Sequence, residues 1–129
     1  PIALYLTGAL VLALFLWRRE RIYEQGAVFL LVLGWIGNWL AALTGLIEIG
    51  QLAPDDPRWS TLNQHITLGI ALIVVFGLAL YQRMRRPRLL YEPQGRLLFL
   101  SLLALGAVLV MWDGLLGGKL VYELRLGIR

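Results

Sequence analysis

Three ionisable residues stand inside or at the ends of long apolar blocks of this sequence: Glu48, His65 and Asp113. Each lies within about one helical turn of the end of its block, and Thr44 and Asn63 lie at similar depth. An ionisable side chain at the centre of a membrane helix costs about 2.5–3.5 kcal/mol, so such a group is a candidate functional site by default. We therefore predict that these five residues form one polar cluster.

The predicted cluster suits several kinds of chemistry. One imidazole with two carboxylates could bind a divalent cation, with His65 as the metal ligand, or could relay protons. His65 could also supply one axial ligand to haem b. Four-helix bundles commonly use two histidines for haem b, and His65 is the only histidine here, so a second would lie upstream of Pro1 or on a partner. The structural alternative is that these side chains reach water or hydrogen-bond one another between helices.

The residues of the predicted cluster are carried by long apolar blocks. The sequence has four such blocks, at about residues 1–17, 26–49, 62–81 and 97–116. Hydrophobic residues make up 59% of the 129 residues, and the mean hydropathy is +0.72. Because roughly 20 apolar residues span a bilayer as a helix, we predict one all-α domain, residues 1–129, built as a four-transmembrane-helix bundle. The first block is short, and we expect the N-terminal end of its helix to precede Pro1.

The charges of the connections predict an orientation. Arginines dominate the first and third connections, whereas the second carries Asp55 and Asp56 against Arg58. Lysine and arginine in short loops mark the cytoplasmic side. We therefore predict a multi-pass membrane protein, with the first and third loops in the cytoplasm and both termini on the non-cytoplasmic side.

Small and polar residues form stripes along three of the blocks. In lipid, such residues allow close helix approach and hydrogen bonds between helices, so we expect the stripes to face the bundle interior. For Asn38, near the bilayer midplane, we expect an interhelical hydrogen bond. The predicted packing residues are Gly34, Asn38, Ala41 and Gly45 of the second block, Gly69 of the third and Gly106 of the fourth.

The C-terminal residues follow a different pattern. Between Lys119 and Arg129 apolar residues alternate with mostly polar ones, and a period of two indicates an extended segment. Gly117 and Gly118 would release the chain from the fourth helix. We predict an extended tail over 117–129 that lies on the membrane surface or pairs with another subunit; an irregular tail is the alternative.

Four short motifs carry a family resemblance: Pro-Ile-Ala-Leu at 1–4, Ala-Ala-Leu-Thr-Gly-Leu-Ile at 41–47, Asn-x-His at 63–65 and Gly-Gly-Lys-Leu-Val-Tyr at 117–122. In this order they resemble the DUF2231 family of bacterial four-helix membrane proteins. The resemblance implies a histidine-rich segment immediately before Pro1, and hence an outer site with several histidines of which His65 is one. The tail departs from the family pattern, because Glu123-Leu124-Arg125-Leu126 stands where a glycine is usual. The resemblance implies a fold and a site but no activity.

The sequence is compatible with three functions. The first is a small membrane subunit without its own catalysis, in a larger electron-transfer, respiratory or photosynthetic complex or as a homo-oligomer. The second is a haem b- or metal-binding electron-transfer protein. The third, ranked last, is a transporter of protons or a small solute, because no block is interrupted as the binding helices of transporters often are. The chain has no cysteine and no nucleophile–base arrangement, so we expect no enzymatic activity. Its arginines lie in short loops between apolar blocks, where they act as topology signals and lipid-headgroup contacts, so we expect no nucleic-acid partner.

Overall fold

The computed structural model describes residues 1–50 and 52–126, and within them every regular element is helical. The α-helices are α1 (Ile2–Arg18), α2 (Arg21–Ile49), α3 (Trp59–Arg85) and α4 (Pro93–Tyr122), and a 3₁₀ turn, η1 (Leu89–Tyr91), precedes α4. The prediction of an all-α fold is confirmed. We call the end with residues 19–20 and 86–92 the arginine end, and the end with residues 50–58 the acidic-loop end.

Helices α2, α3 and α4 extend beyond the apolar blocks from which they were predicted. Arginine, glutamate and glutamine are good helix formers, so the backbone continues as a helix after the hydrophobic sequence stops. Pro93 begins α4 because its fixed φ suits the first helical position. These three helices are long and apolar enough to cross a membrane, whereas α1 is a shorter apolar helix of 17 residues.

The four helices form a closed ring in which each packs against its neighbours in the chain and α4 packs against α1. Two aromatic rings from opposite helices fill the centre. Tyr5 of α1 and Phe76 of α3 stack with their centroids 3.8 Å apart and their planes 6° from parallel. A Cβ at Gly34 of α2 would lie 2.9 Å from the Tyr5 ring, and one at Gly106 of α4 would lie 2.6 Å from Phe76. The stacked pair therefore needs glycine on both remaining helices.

Two hydrogen bonds join α2 to α3 in the middle of the bundle. The indole nitrogen of Trp35 donates to the carbonyl of Ile73 at 2.9 Å, and the side-chain amide of Asn38 donates to the carbonyl of Gly69 at 3.2 Å. Each side chain thus places a hydrogen-bond donor on a backbone carbonyl of the neighbouring helix, which lowers the cost of a polar group in a low-dielectric surrounding. The interhelical hydrogen bond expected for Asn38 is present.

The half of α2 nearer the acidic-loop end has no cover within the described chain. Pro1, at the start of α1, lies beside Gly37, with 3.6 Å between a Gly37 Cβ and the proline ring. Beyond that level every residue from Trp39 to Glu48 is exposed. We call residues 39–48 the open half of α2.

The extended structure predicted from Gly117 onward is wrong for residues 117–122, because α4 continues as a helix through both glycines to Tyr122. A helix satisfies its own backbone hydrogen bonds, whereas an extended segment needs a second strand. Leu120 is also buried, so the helix gains packing there. Residues 123–126 form turns rather than a strand, and the remainder of the predicted tail, 127–129, lies outside the described residues.

Candidate functional site

His65 and Asp113 form the polar contact at the acidic-loop end that the sequence predicted in part. The imidazole Nδ1 lies 2.7 Å from Oδ1 of Asp113, which gives an ion pair when the imidazole is protonated. Asp113 is buried at 7% exposure, whereas His65 is half-buried. A Cβ at Gly117 would lie 3.3 Å from the imidazole Cε1, so this glycine permits the ring to sit against α4. The pair links α3 to α4. The other ring nitrogen of His65, Nε2, is not part of this contact.

The other members of the predicted cluster do not join this pair. Glu48 is exposed on the open half of α2, and its side chain forms neither a hydrogen bond nor an ion pair with the described residues. The Thr44 hydroxyl donates to the carbonyls of Leu40 and Ala41 within its own helix. Within residues 1–50 and 52–126, no three or more His, Asp and Glu side chains are grouped so that they could hold a metal ion.

Asn63 lies beside the pair, on the outer face of α3. With Gln64, Thr67, Leu68 and Trp112 it lines a shallow open groove of about 290 Å³. The hydroxyl of Thr67 donates to the backbone carbonyl of Asn63 at 2.8 Å. The groove therefore lies on the surface where α3 and α4 meet, and neither His65 nor Asp113 lines it.

The predicted packing stripe of α2 is buried over only part of its length. Gly34 and Asn38 are buried in the bundle, and Gly106 of α4 is buried as expected. Gly69 contributes its carbonyl to Asn38, but a Cβ there would meet nothing within 4 Å. Ala41 and Gly45 are exposed, and a Cβ at Gly45 would also meet nothing within 4 Å.

A second polar cluster, at the arginine end, was not predicted. Glu24 of α2 is 1% exposed, yet it carries a carboxylate. Nε of Arg83 donates to its Oε1 at 2.9 Å, Nη2 of Arg83 lies 2.7 Å from the same oxygen, and the Tyr91 hydroxyl donates to Oε2 at 2.9 Å. The hydrogen bond to the carboxylate raises the pKa of the Tyr91 phenol. Phe15 of α1 packs edge-on against the Tyr91 ring, with 5.6 Å between centroids. One carboxylate thus ties together α2, α3 and η1.

The sequence does contain a signal for Glu24. The buried residues of α2 recur at alternating intervals of three and four: Glu24, Ala27, Leu31, Gly34 and Asn38. Glu24 is therefore the first member of the stripe whose predicted packing residues begin at Gly34. The apolar block begins at Gly26, so hydropathy alone places Glu24 in the first connection rather than on the inner face of α2.

The acidic loop carries an internal clasp between Asp56 and Arg58. The backbone N–H and the guanidinium Nε of Arg58 each donate to Oδ1 of Asp56 at 2.9 Å. The hydrogen bonds from Arg58 lower the pKa of the Asp56 carboxyl to about 2. The clasp lies just before Trp59, the first residue of α3, whose indole donates to the carbonyl of Ala53 at 2.7 Å.

We expect the Asp56 carboxyl to titrate near pH 2 rather than at its ordinary pKa of 3.8. Because the folded-state pKa is lowered, the clasp contributes stability above the ordinary pKa and loses it as the pH falls toward 2. Carboxyl ¹³C chemical shifts in micelles would report the midpoint. Arg58→Gln should raise the midpoint toward 3.8 by removing the guanidinium, while the backbone N–H of residue 58 still donates to the carboxylate. A wild-type midpoint already at 3.8 would contradict the clasp.

Long apolar helices that satisfy their own backbone hydrogen bonds are typical of helical membrane proteins, and three helices here are long and apolar enough to cross a membrane. The family comparison identifies the chain within that class. The model of DUF2231, described as a predicted membrane protein, matches residues 1–129, and the chain belongs to this family. The resemblance drawn from the four motifs is thereby confirmed. No curated protein and no solved structure matches the chain.

Proposed function

We propose that the protein is a small subunit, without catalysis of its own, of a larger bacterial inner-membrane complex for electron transfer, respiration or photosynthesis. In this proposal all four helices cross the membrane. The arginine end faces the cytoplasm, because the positive-inside rule places arginine-rich short loops there. Both termini then lie on the opposite side.

The open half of α2 is the observation that carries the proposal. One face of it presents Ala41, Thr44, Gly45 and Glu48, while its other faces present leucine and isoleucine. Lipid tails solvate the apolar faces well, but they gain nothing from small residues and solvate a carboxylate poorly. Small and polar residues on one face are typical of contacts with another helix, since backbones approach closely there. We infer that a helix of another subunit lies against this face.

Cysteine crosslinking tests the proposal, because the chain has no cysteine of its own. Thr44→Cys places a thiol on the proposed contact face, and Phe29→Cys places one at an exposed position in the other half of α2. In native membranes of the full-length protein, we expect a bifunctional crosslinker to join Thr44→Cys to a different chain and to leave Phe29→Cys largely unlinked. Equal adducts from both variants, an adduct with a second copy alone, or a crosslink formed only within the same chain would contradict the proposed subunit role.

The second candidate, a haem b- or metal-binding electron-transfer protein, is favoured by the geometry of His65. A ligating histidine commonly directs its other nitrogen at a carboxylate, which fixes the ring and raises its basicity. Nδ1 lies 2.7 Å from Oδ1 of Asp113, close enough for an ion pair but not aligned as a hydrogen bond, and Nε2 is then the nitrogen that could bind a ligand. His65 would then be one axial ligand, with the second supplied by a residue upstream of Pro1 or by a partner chain.

An absorption spectrum of the full-length protein tests this second candidate. A Soret band or a bound metal that disappears in His65→Ala is the expected result if the candidate is correct. Asp113→Asn should shift the band or weaken binding, because it removes the charge that orients the imidazole. A colourless, metal-free wild-type protein would rule it out.

A further inference from the structure

The arginine end carries far more positive charge than its own carboxylates can neutralise. Only Arg83 forms an ion pair at this end within the described residues, and its partner is the buried Glu24. Glu20 and Glu92 remain exposed and unpaired there, against seven other arginines. The surplus is therefore five positive charges on one end of the molecule. The seven arginines are Arg18, Arg19, Arg21, Arg85, Arg86, Arg88 and Arg96.

Two of these arginines lie over exposed aromatic rings where apolar helices end. The guanidinium carbon of Arg18 is 5.1 Å from the centroid of the Trp17 ring, and that of Arg85 is 6.0 Å from the centroid of Tyr81. Trp17 is 76% exposed and Tyr81 is 59% exposed. Tryptophan and tyrosine favour headgroup depth, since their rings combine an apolar body with a polar edge. Each ring thus holds a guanidinium at the depth of lipid phosphates.

We propose that the arginine end binds anionic phospholipids through Arg18, Arg85 and the neighbouring unpaired arginines. A guanidinium presents a planar fork of donors that matches two phosphate oxygens, and contact with an aromatic face leaves those donors free. Each basic residue near a membrane surface adds to the attraction of anionic headgroups. The position of the two rings at the ends of apolar helices favours a lipid over a soluble acidic partner. The proposal does not depend on the subunit role of the open half of α2.

Native mass spectrometry of the protein in detergent micelles tests the proposal. The probes are phosphatidylglycerol and phosphatidylcholine with identical acyl chains, titrated separately at low and high salt. We expect tighter binding of phosphatidylglycerol, and we expect salt to reduce the preference, because ionic screening weakens exposed charge interactions. Equal binding of the two lipids by the wild-type protein would overturn the proposal.

Matched variants locate the site. Arg18→Gln/Arg85→Gln should weaken phosphatidylglycerol binding about thirty-fold, from about 1 kcal/mol per arginine at 1.4 kcal/mol per tenfold. Lys119→Gln/Arg125→Gln removes the same charge from the acidic-loop end and should change the affinity less than about threefold, since exposed charges beyond a Debye length are screened. Arg18→Lys/Arg85→Lys should bind at an intermediate level. Equal weakening by the two glutamine variants would contradict a site at the arginine end.

Discussion

Glu24→Ala should destabilise the protein by about 3 kcal/mol or more, because it leaves Arg83 without its buried partner. The carboxylate is 1% exposed and accepts hydrogen bonds from both Arg83 and Tyr91. Arg83 retains some access to solvent, with 19% side-chain exposure, so we expect the lower part of the range of about 3–5 kcal/mol for breaking such a pair. Equilibrium unfolding in mixed micelles measures the change in the free energy of unfolding.

Three further variants distinguish the loss of the Glu24–Arg83 ion pair from the general effect of removing a charge on the free energy of unfolding. Glu92→Ala removes an exposed glutamate at the same end and should change stability by less than about 0.5 kcal/mol. Tyr91→Phe removes one hydrogen bond to a charged group and should cost about 1–2 kcal/mol. Glu24→Leu/Arg83→Met should recover much of the loss, since no buried charge remains unpaired. Equal effects of Glu24→Ala and Glu92→Ala would show that the pair does not hold α2, α3 and η1 together.

Gly106→Ala should destabilise the protein by about 1–3 kcal/mol through overpacking of the central ring pair. The added methyl carbon would lie 2.6 Å from Cζ of Phe76, well inside van der Waals contact. Phe76 has little freedom to move away, because it is 2% exposed and stacks on Tyr5, whose ring is itself close to Gly34. Thermal unfolding monitored by helical circular dichroism would report the loss.

Gly118→Ala is the matched control on the same helix. A Cβ there would meet nothing within 4 Å, so the substitution should stabilise α4 by about 0.5–1 kcal/mol through the better helix propensity of alanine. Combining Gly106→Ala with Phe76→Leu should cost less than the sum of the two single changes, because the smaller side chain makes room for the methyl group. A Gly106→Ala variant as stable as Gly118→Ala would contradict the packing of the rings.

Hydropathy predicted the all-helical fold, but it could not predict where every helix ends or which polar groups meet. The position of a residue in an apolar block fixes its depth in a membrane and nothing more. Hydropathy places Glu48, His65 and Asp113 at one depth, yet only the last two are in contact, because within residues 1–50 and 52–126 the open half of α2 has no neighbour there. Contact also depends on which way each helix is rotated and on where its neighbours end, and both are properties of the assembled bundle.

Two other features show where local patterns mislead. The alternating pattern after Lys119 indicates a strand. The segment instead continues the helix α4, which has already begun and which buries Leu120. Tyr5 and Phe76 carry no sequence signal for pairing, because they come from opposite helices and meet only when the ring of four closes. In contrast, Glu24 could have been predicted from the spacing of the α2 stripe, extended past the charged residues that mark the end of the block.

We propose that this chain works as a subunit bound to other membrane proteins. Purification of the full-length protein from native membranes in a mild detergent, followed by native mass measurement of the intact particle, tests this role. We expect a particle that contains at least one different chain and that dissociates when Gly45→Leu fills the contact face of the open half of α2. A stable particle with the mass of a solitary monomer, unchanged by that substitution, would contradict it.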